Sequence, residues 1–494
     1  MSIRHVASAA ALFALAMPAL AEGELPSAGQ LASDICAGKV KSEQLVSAAL
    51  AKAKAHADLN AFVTLDEAGA LAAARRADAR RGQGCKPLHG VPIVIKDNIE
   101  VAGLATTGGT PALKGYKPKA DAPVAKKLRD AGAIVLGKTN MHELAFGISG
   151  YNPAYNTGKE PGVRNAYDAG RSAGGSSSGT GAALGARVVV AGLGTDTGGS
   201  VRVPCAFNGC ASLRPSVGRY PGAGIVPISH TRDTAGPMAL AMADVELLDR
   251  VITGAPPIRP AHLKAVRLGL AKPFLANLDA DTQAAFDAAL GRLKAAGVTL
   301  VDVEMPKLME TNAGVSFPVA LYEAHDDMVK YLKHTATGLS IAQVAEQAAS
   351  PDVKGTYQAL VIPRKLPGPD NSVVDAKPAY DAAMKTGRPA LKKIYADAFR
   401  QHKIDALVFP TVPKVAMAAN PESSSVPVFM GVIQNTDPGS NAGLPGLQLP
   451  IALGAGSRLP IGIELDGPAG SDRHLVAIGL ALEPVFGRLP PPAQ

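Results

Sequence analysis

The feature that most constrains this chain is a recurring order in which an amphipathic helix ends at a glycine and runs into a short apolar strand. Residues 121–131 place Val124 and Leu128 on one helical face, stop at Gly132 and continue as Ala133-Ile134-Val135-Leu136. The same order returns where Ala285, Phe286, Ala289, Leu290 and Leu293 line a helix that ends at Gly297 before Val298-Thr299-Leu300-Val301. Glycine suits the left-handed turn that closes a helix, and a short aliphatic run suits a strand buried on both faces. A third strand is expected at Ala406-Leu407-Val408-Phe409. The alternation predicts an α/β fold in which helices cover both faces of one sheet. Between residues 306 and 401 the pattern turns mainly helical, with a Pro/Gly/Asp-rich break at 363–370. No linker composition brackets that stretch, so it reads as a lid-like insertion in a single catalytic domain.

With 494 residues, 47% hydrophobic and 19% charged, the chain can bury the core of a large enzyme. Its net charge of +8 is spread without a dense Lys/Arg block, which argues against a nucleic-acid partner. Arg4 and His5 precede an apolar run over residues 6–17, then Pro18 and Ala19-Leu20-Ala21. That is the pattern of a secretory signal over residues 1–21, leaving a domain over 22–494 in the periplasm or outside the cell. No later run approaches membrane-spanning length, so no anchor is expected once the signal is removed. Cys36, Cys85, Cys205 and Cys210 form no C-x-x-C, and neither a metal nor a cofactor is expected. Pairing of Cys36 with Cys85 and of Cys205 with Cys210, or four free thiols, are equally open.

The chemistry lies in a lone lysine, Ile93-Val94-Ile95-Lys96-Asp97, and two glycine-serine segments. These are Gly174-Gly175-Ser176-Ser177-Ser178-Gly179 and Asp196-Thr197-Gly198-Gly199-Ser200-Val201-Arg202. A serine hydroxyl is a poor nucleophile at neutral pH unless an adjacent base takes its proton; with no histidine motif present, neutral lysine is the candidate base. Three decoys compete. Gly132 to Thr139 spells the phosphate-loop string G-x-x-x-x-G-K-[ST], but the residues between its glycines are themselves a strand. Gly175-Ser176-Ser177-Ser178-Gly179 spells a nucleophile elbow centred on Ser177, yet residues 168–173 before it are loop-like where a strand is needed. His142-Glu143 opens a zinc-protease motif that Phe146 breaks.

Further segments add to these: His89 to Asn98, Gly137-Lys138-Thr139-Asn140-Met141-His142-Glu143-Leu144, Arg232-Asp233-Thr234-Ala235-Gly236-Pro237-Met238, Asn441 to Gly446 and Pro460 to Leu465. Together they resemble the amidase signature family over nearly the whole mature chain. The resemblance implies a large mixed β-sheet covered by helices, with Ser200 as nucleophile, Ser176 as bridging serine and Lys96 as general base. It also implies a cis peptide bond at Gly175-Ser176. Ser176 and Ser200 stand 24 positions apart, the separation of the family motif. Ser178 stands where glycine is frequent, a departure that bears on local packing. Bringing Lys96 from a pKa of ~10.4 to near 7 asks for about 4 to 5 kcal/mol, which burial can supply. Backbone N–H groups of Thr197, Gly198, Gly199 and Ser200 are expected to face the tetrahedral oxyanion. Asp196 and Arg202 are expected to brace that turn as an ion pair.

The segments at 59–64, 443–446 and 467–472 are most similar to the branch of mandelamide and indoleacetamide hydrolases. That implies cleavage of small aryl-substituted carboxylic amides to acid plus ammonia or amine, with Gly147, Ser149, Tyr151, Gly198, Phe429 and Ile433 as candidate substrate contacts. Esters and carbamates fit the same relay, and a homodimer is compatible with the chain. The amide-cleaving subunit of a tRNA-dependent amidotransferase shares the motifs, but the signal-like segment argues against it.

Overall fold

The computed structural model describes residues 25–156 and 161–493; the expected signal segment lies outside them. Thirteen strands are described: β1 (Phe62–Leu65), β2 (Pro92–Lys96), β3 (Ile134–Thr139), β4 (Ala191–Asp196), β5 (Ala211–Arg214), β6 (Thr234–Ala239), β7 (Arg267–Ala271), β8 (Thr299–Val303), β9 (Lys365–Pro367), β10 (Val373–Asp375), β11 (Ala406–Pro410), β12 (Gly446–Leu453) and β13 (Pro460–Asp466). All but the β9/β10 hairpin join one 11-stranded sheet in the order β1-β3-β2-β4-β6-β5-β12-β13-β11-β7-β8. Parallel pairs β2/β3, β2/β4, β11/β7 and β7/β8 are combined with antiparallel ones, so the sheet is mixed as expected.

Strand alternation sorts the core into layers. Along β2, Ile93 and Ile95 join an apolar cluster with the helices Pro123–Asp130, Met242–Thr253 and Asp472–Phe486. Val94 points the other way, into a cluster with the helices Ser42–Ala55 and Ser178–Gly185. Side chains two apart share a face, so Lys96 ends the strand on the side of Val94, where the second helix begins. The helix and strand expected around Gly132 occur as Pro123–Asp130 and β3. The strand runs on to Thr139 because Lys138 finds Asp97 inside the sheet, Nζ to Oδ1 at 3.2 Å, so a cation does not end it. That pairing also accounts for the phosphate-loop string: its lysine is a buried strand residue.

The stretch over 306–401 is mainly helical, its longest element being the helix Ser316–Thr335. Glu143, next to β3, holds it to the sheet by accepting the N–H groups of Ala349 and Ser350 at the start of the helix Pro351–Thr356. His142 Nε2 lies 2.9 Å from Asp352 Oδ2 beside that contact. Among the described residues no helix is long and apolar enough to cross a membrane.

Candidate active site

Lys96 Nζ lies 2.7 Å from Ser176 Oγ and 2.7 Å from Thr195 Oγ1. The lysine and Ser176 are both wholly buried, whereas Ser200 keeps 6% exposure. Only Ser200 of the three therefore faces the space a substrate can enter. Burial pushes the Lys96 amine down to about 7, against the opposing pull of Asp196 and Asp233. A neutral amine has a lone pair with which to accept the Ser176 proton. The two serine segments are clipped together by the Ser177 N–H, which donates to Ser200 O at 3.1 Å. The Gly175-Ser176 peptide bond is cis. Thr195, which the sequence reading passed over, completes the lysine's surroundings and itself accepts from Asn98 Nδ2 at 3.0 Å.

Ser177 is committed elsewhere: its Oγ donates to Thr195 O at 3.1 Å and accepts from Thr195 N at 3.2 Å. The nucleophile-elbow spelling thus describes a residue that stitches the helix Ser178–Gly185 to β4. Ser178, where glycine is frequent, is accommodated by Gly150, whose φ is +73° and at which an added Cβ would stand 2.4 Å from Ser178 Oγ.

Asp196 closes the nucleophile loop on itself. It accepts from the N–H groups of Gly199 at 2.8 Å and Val201 at 3.1 Å, one on each side of Ser200. Arg202 Nε at 3.1 Å and Arg214 Nη1 at 3.0 Å complete its shell. Burial alone would push this carboxyl up, but the two guanidiniums outweigh it and hold it well below the usual carboxylate range. The brace expected between Asp196 and Arg202 is present and extends to Glu464 of β13, a further partner of the Arg202 guanidinium. One expectation is corrected: the Gly199 amide is spent on Asp196 and does not face an oxyanion. Among the described residues the amides of Thr197, Gly198 and Ser200 have no protein acceptor, so these are the donors the loop can offer.

A cleft opens over Ser200. Of the expected substrate contacts, Gly147, Gly198, Phe429 and Ile433 line it. Ser149 and Tyr151 do not: the Ser149 hydroxyl is buried against Ser424 Oγ at 2.8 Å and the Tyr151 N–H at 3.2 Å. Reading from sequence missed Phe146, Phe317, Arg232 and Asp437, which also form the wall. Of these only Arg232 stands in a segment of the family resemblance, Arg232 to Met238. Both cysteine pairs, Cys36–Cys85 and Cys205–Cys210, are disulfides.

A family model described as Amidase matches residues 44–476. The chain is 45% identical to mandelamide hydrolase of Pseudomonas putida over 92% of its own length and 90% of the relative's. It belongs to the amidase family. Indoleacetamide hydrolase of Agrobacterium vitis is 40% identical over 89% of this chain and 92% of that one. The native peptide amidase of Stenotrophomonas maltophilia superposes with a TM-score of 0.79 at 30% identity, covering 94% of this chain and 98% of that one. This amidase is accordingly an enzyme that hydrolyses amide C–N bonds, with small-molecule amides as substrates.

Proposed function

We propose that this amidase is exported and hydrolyses small aryl-substituted carboxylic amides, foremost primary amides, to acid plus ammonia through an acyl-enzyme on Ser200. The observation that carries the reading is the buried 2.7 Å contact between Lys96 Nζ and Ser176 Oγ, behind a cleft-facing Ser200. Neutral Lys96 takes the Ser176 proton, Ser176 takes that of Ser200, and Ser200 Oγ bonds to the amide carbon. The oxyanion is met by the free amides of the loop, the C–N bond breaks as the relay returns a proton to nitrogen, and water repeats the cycle on the ester. Phe146, Phe317 and Phe429 suit an aryl group, with the rings of the last two 6.2 Å apart. The names of the relatives, mandelamide and indoleacetamide hydrolases, point to the same class. Export is supported by the signal-like pattern over residues 1–21 and by two disulfides, which persist in oxidising compartments.

The test is ammonia release from a panel of aliphatic, aryl and peptide amides by the wild type, Ser200→Ala and Lys96→Ala. Arylacetamides should lead the panel, and each variant should lose about 10³-fold or more in kcat. Mass spectrometry of quenched wild type should find the acyl group on Ser200. Retained turnover in either variant, or an adduct on Ser177, overturns the relay. Activity confined to the cytoplasmic fraction of cells expressing the full chain overturns export.

A further inference from the structure

We propose that a second cavity, on the far side of the relay from the cleft, is the route by which Lys96 exchanges its proton with solvent. Thr195 and Asn98 hold a water molecule at its inner end, and the Thr195 hydroxyl passes the proton between amine and water. The inference rests on the reading above, in which Lys96 is the base, and adds to it the way that base is reset.

This cavity, of about 430 Å³, stands beside the catalytic cleft. The two share Ala145, Thr197 and Ile228, but Ser200 lines only the cleft and Thr195 only the cavity. The cavity runs from His230, Lys330 and His334, which are exposed, in to Asn98 and Thr195, which keep 1% and 6% exposure. At that inner end, Thr195 Oγ1 accepts from Lys96 Nζ at 2.7 Å and from Asn98 Nδ2 at 3.0 Å. Both its lone pairs are taken and its own hydrogen is left to donate. Among the described residues no acceptor meets that hydrogen. The other Nδ2 hydrogen of Asn98 goes to Val226 O at 3.4 Å, which fixes the way the amide faces. Its Oδ1 is buried and, among the described residues, without a partner. One donor and one acceptor, on neighbouring side chains that line the same cavity, suit a molecule that accepts and donates at once. Water does both, and the cavity has room for it.

Turnover calls for such a route. Hydrolysis of the ester on Ser200 leaves a carboxylic acid in the cleft, whose ordinary pKa of about 4 lies well below the value of about 7 at Lys96. The acid O–H breaks, its hydrogen passes to Ser200 as that of Ser200 passes to Ser176 and that of Ser176 to Lys96. A carboxylate and an ammonium result. Lys96 must lose this proton before it can act again, and a return through Ser200 only re-forms the acid while the product fills the cleft. Toward Thr195 the partners are different. An N–H bond of Lys96 breaks as Thr195 Oγ1 takes the hydrogen, the hydrogen Thr195 already carried passes to the water, and the excess charge leaves along the cavity to a buffer base. Asp233 and Asp327 line the cavity, so a positive charge moves out past carboxylates.

The test reads the first turnover against later ones within each enzyme, by rapid-quench measurement of the acid formed from phenylacetamide in weakly buffered solution. Thr195→Val keeps the shape of the side chain and removes the hydroxyl, whereas Thr195→Ser keeps the hydroxyl. Gly222 lines the cavity at an exposed position where an added Cβ meets nothing within 4 Å, so Gly222→Trp obstructs the passage without touching the relay. Thr195→Val should give a burst of about one acid per active site, then a steady rate about ten-fold below that of wild type. Gly222→Trp should show the same burst with a loss of about three-fold, and Thr195→Ser should behave as wild type. A threonine that merely holds Lys96 in place would slow first and later turnovers alike. Equal slowing of both in Thr195→Val, or no change in that variant, overturns the proposal; should it fail to fold, the absence of a burst in Gly222→Trp does so. Ser200→Ala is the separate control, since acid formed there would sink the relay on which the route depends.

Discussion

Burial decides what Lys96 can do. In water its amine would be protonated at every physiological pH, but within the sheet it sits at about 7. Only the neutral form can take a proton, so kcat/KM for an arylacetamide should rise with pH through about 7 and level off above it. The neighbouring Asp196, held ionised by Arg202 and Arg214, stays charged across that range and adds no limb of its own. A pH–rate profile measured between about pH 5 and 9 checks this, and a flat or falling curve contradicts a lysine base. The serines divide by the same logic of partners. The Ser177 hydroxyl is spent on both backbone groups of Thr195, whereas the Ser176 hydroxyl is turned to the lysine.

Elements bring these residues together by fitting closely. β2 and β4 are parallel neighbours, so Lys96 and Thr195 end up together at the C-terminal ends of adjacent strands, and the helix Ser178–Gly185 starts on the face Lys96 shares with Val94. Such proximity tolerates few added atoms. Gly150 has φ +73°, and a methyl group there would stand 2.4 Å from Ser178 Oγ and 3.1 Å from the Gly174 carbonyl. Gly150→Ala should therefore lower stability by about 2 kcal/mol or more through combined strain and overpacking, and should depress kcat by shifting the segment that carries Ser176. Denaturant titration alongside steady-state kinetics reads both effects, and a variant as stable and active as wild type would show that the segment yields freely.

At the scale of the molecule, the Cys36–Cys85 bridge ties the helix Ala28–Cys36 to the loop before β2, closing a separation of 49 residues. Neither cysteine lines the cleft. Replacing both by serine should cost about 2 to 4 kcal/mol of stability and leave kcat within about two-fold, as denaturation curves and turnover at a permissive temperature would record. The fold and the reacting segments were legible in the sequence because helix and strand periods, glycine stops and Gly-Ser segments are local patterns whose physics acts over a few residues. Within those segments, the resemblance to the amidase signature family singled out Lys96, Ser176 and Ser200. The substrate wall was not legible in this way. Arg232 and Asp437 are 205 positions apart and meet only because the strand that follows one and the helix that carries the other pack over the nucleophile loop. Ser149 and Tyr151 lie outside the cleft lining, the Ser149 hydroxyl being taken by Ser424, 275 positions away, and the Gly199 amide is taken by an Asp196 carboxylate that Arg214 helps to fix. Which groups can react is set by the order of residues along the chain. Tertiary packing alone decided which of them meet, which one faces the cleft and what lines it, since burial and close contact belong to the assembled chain.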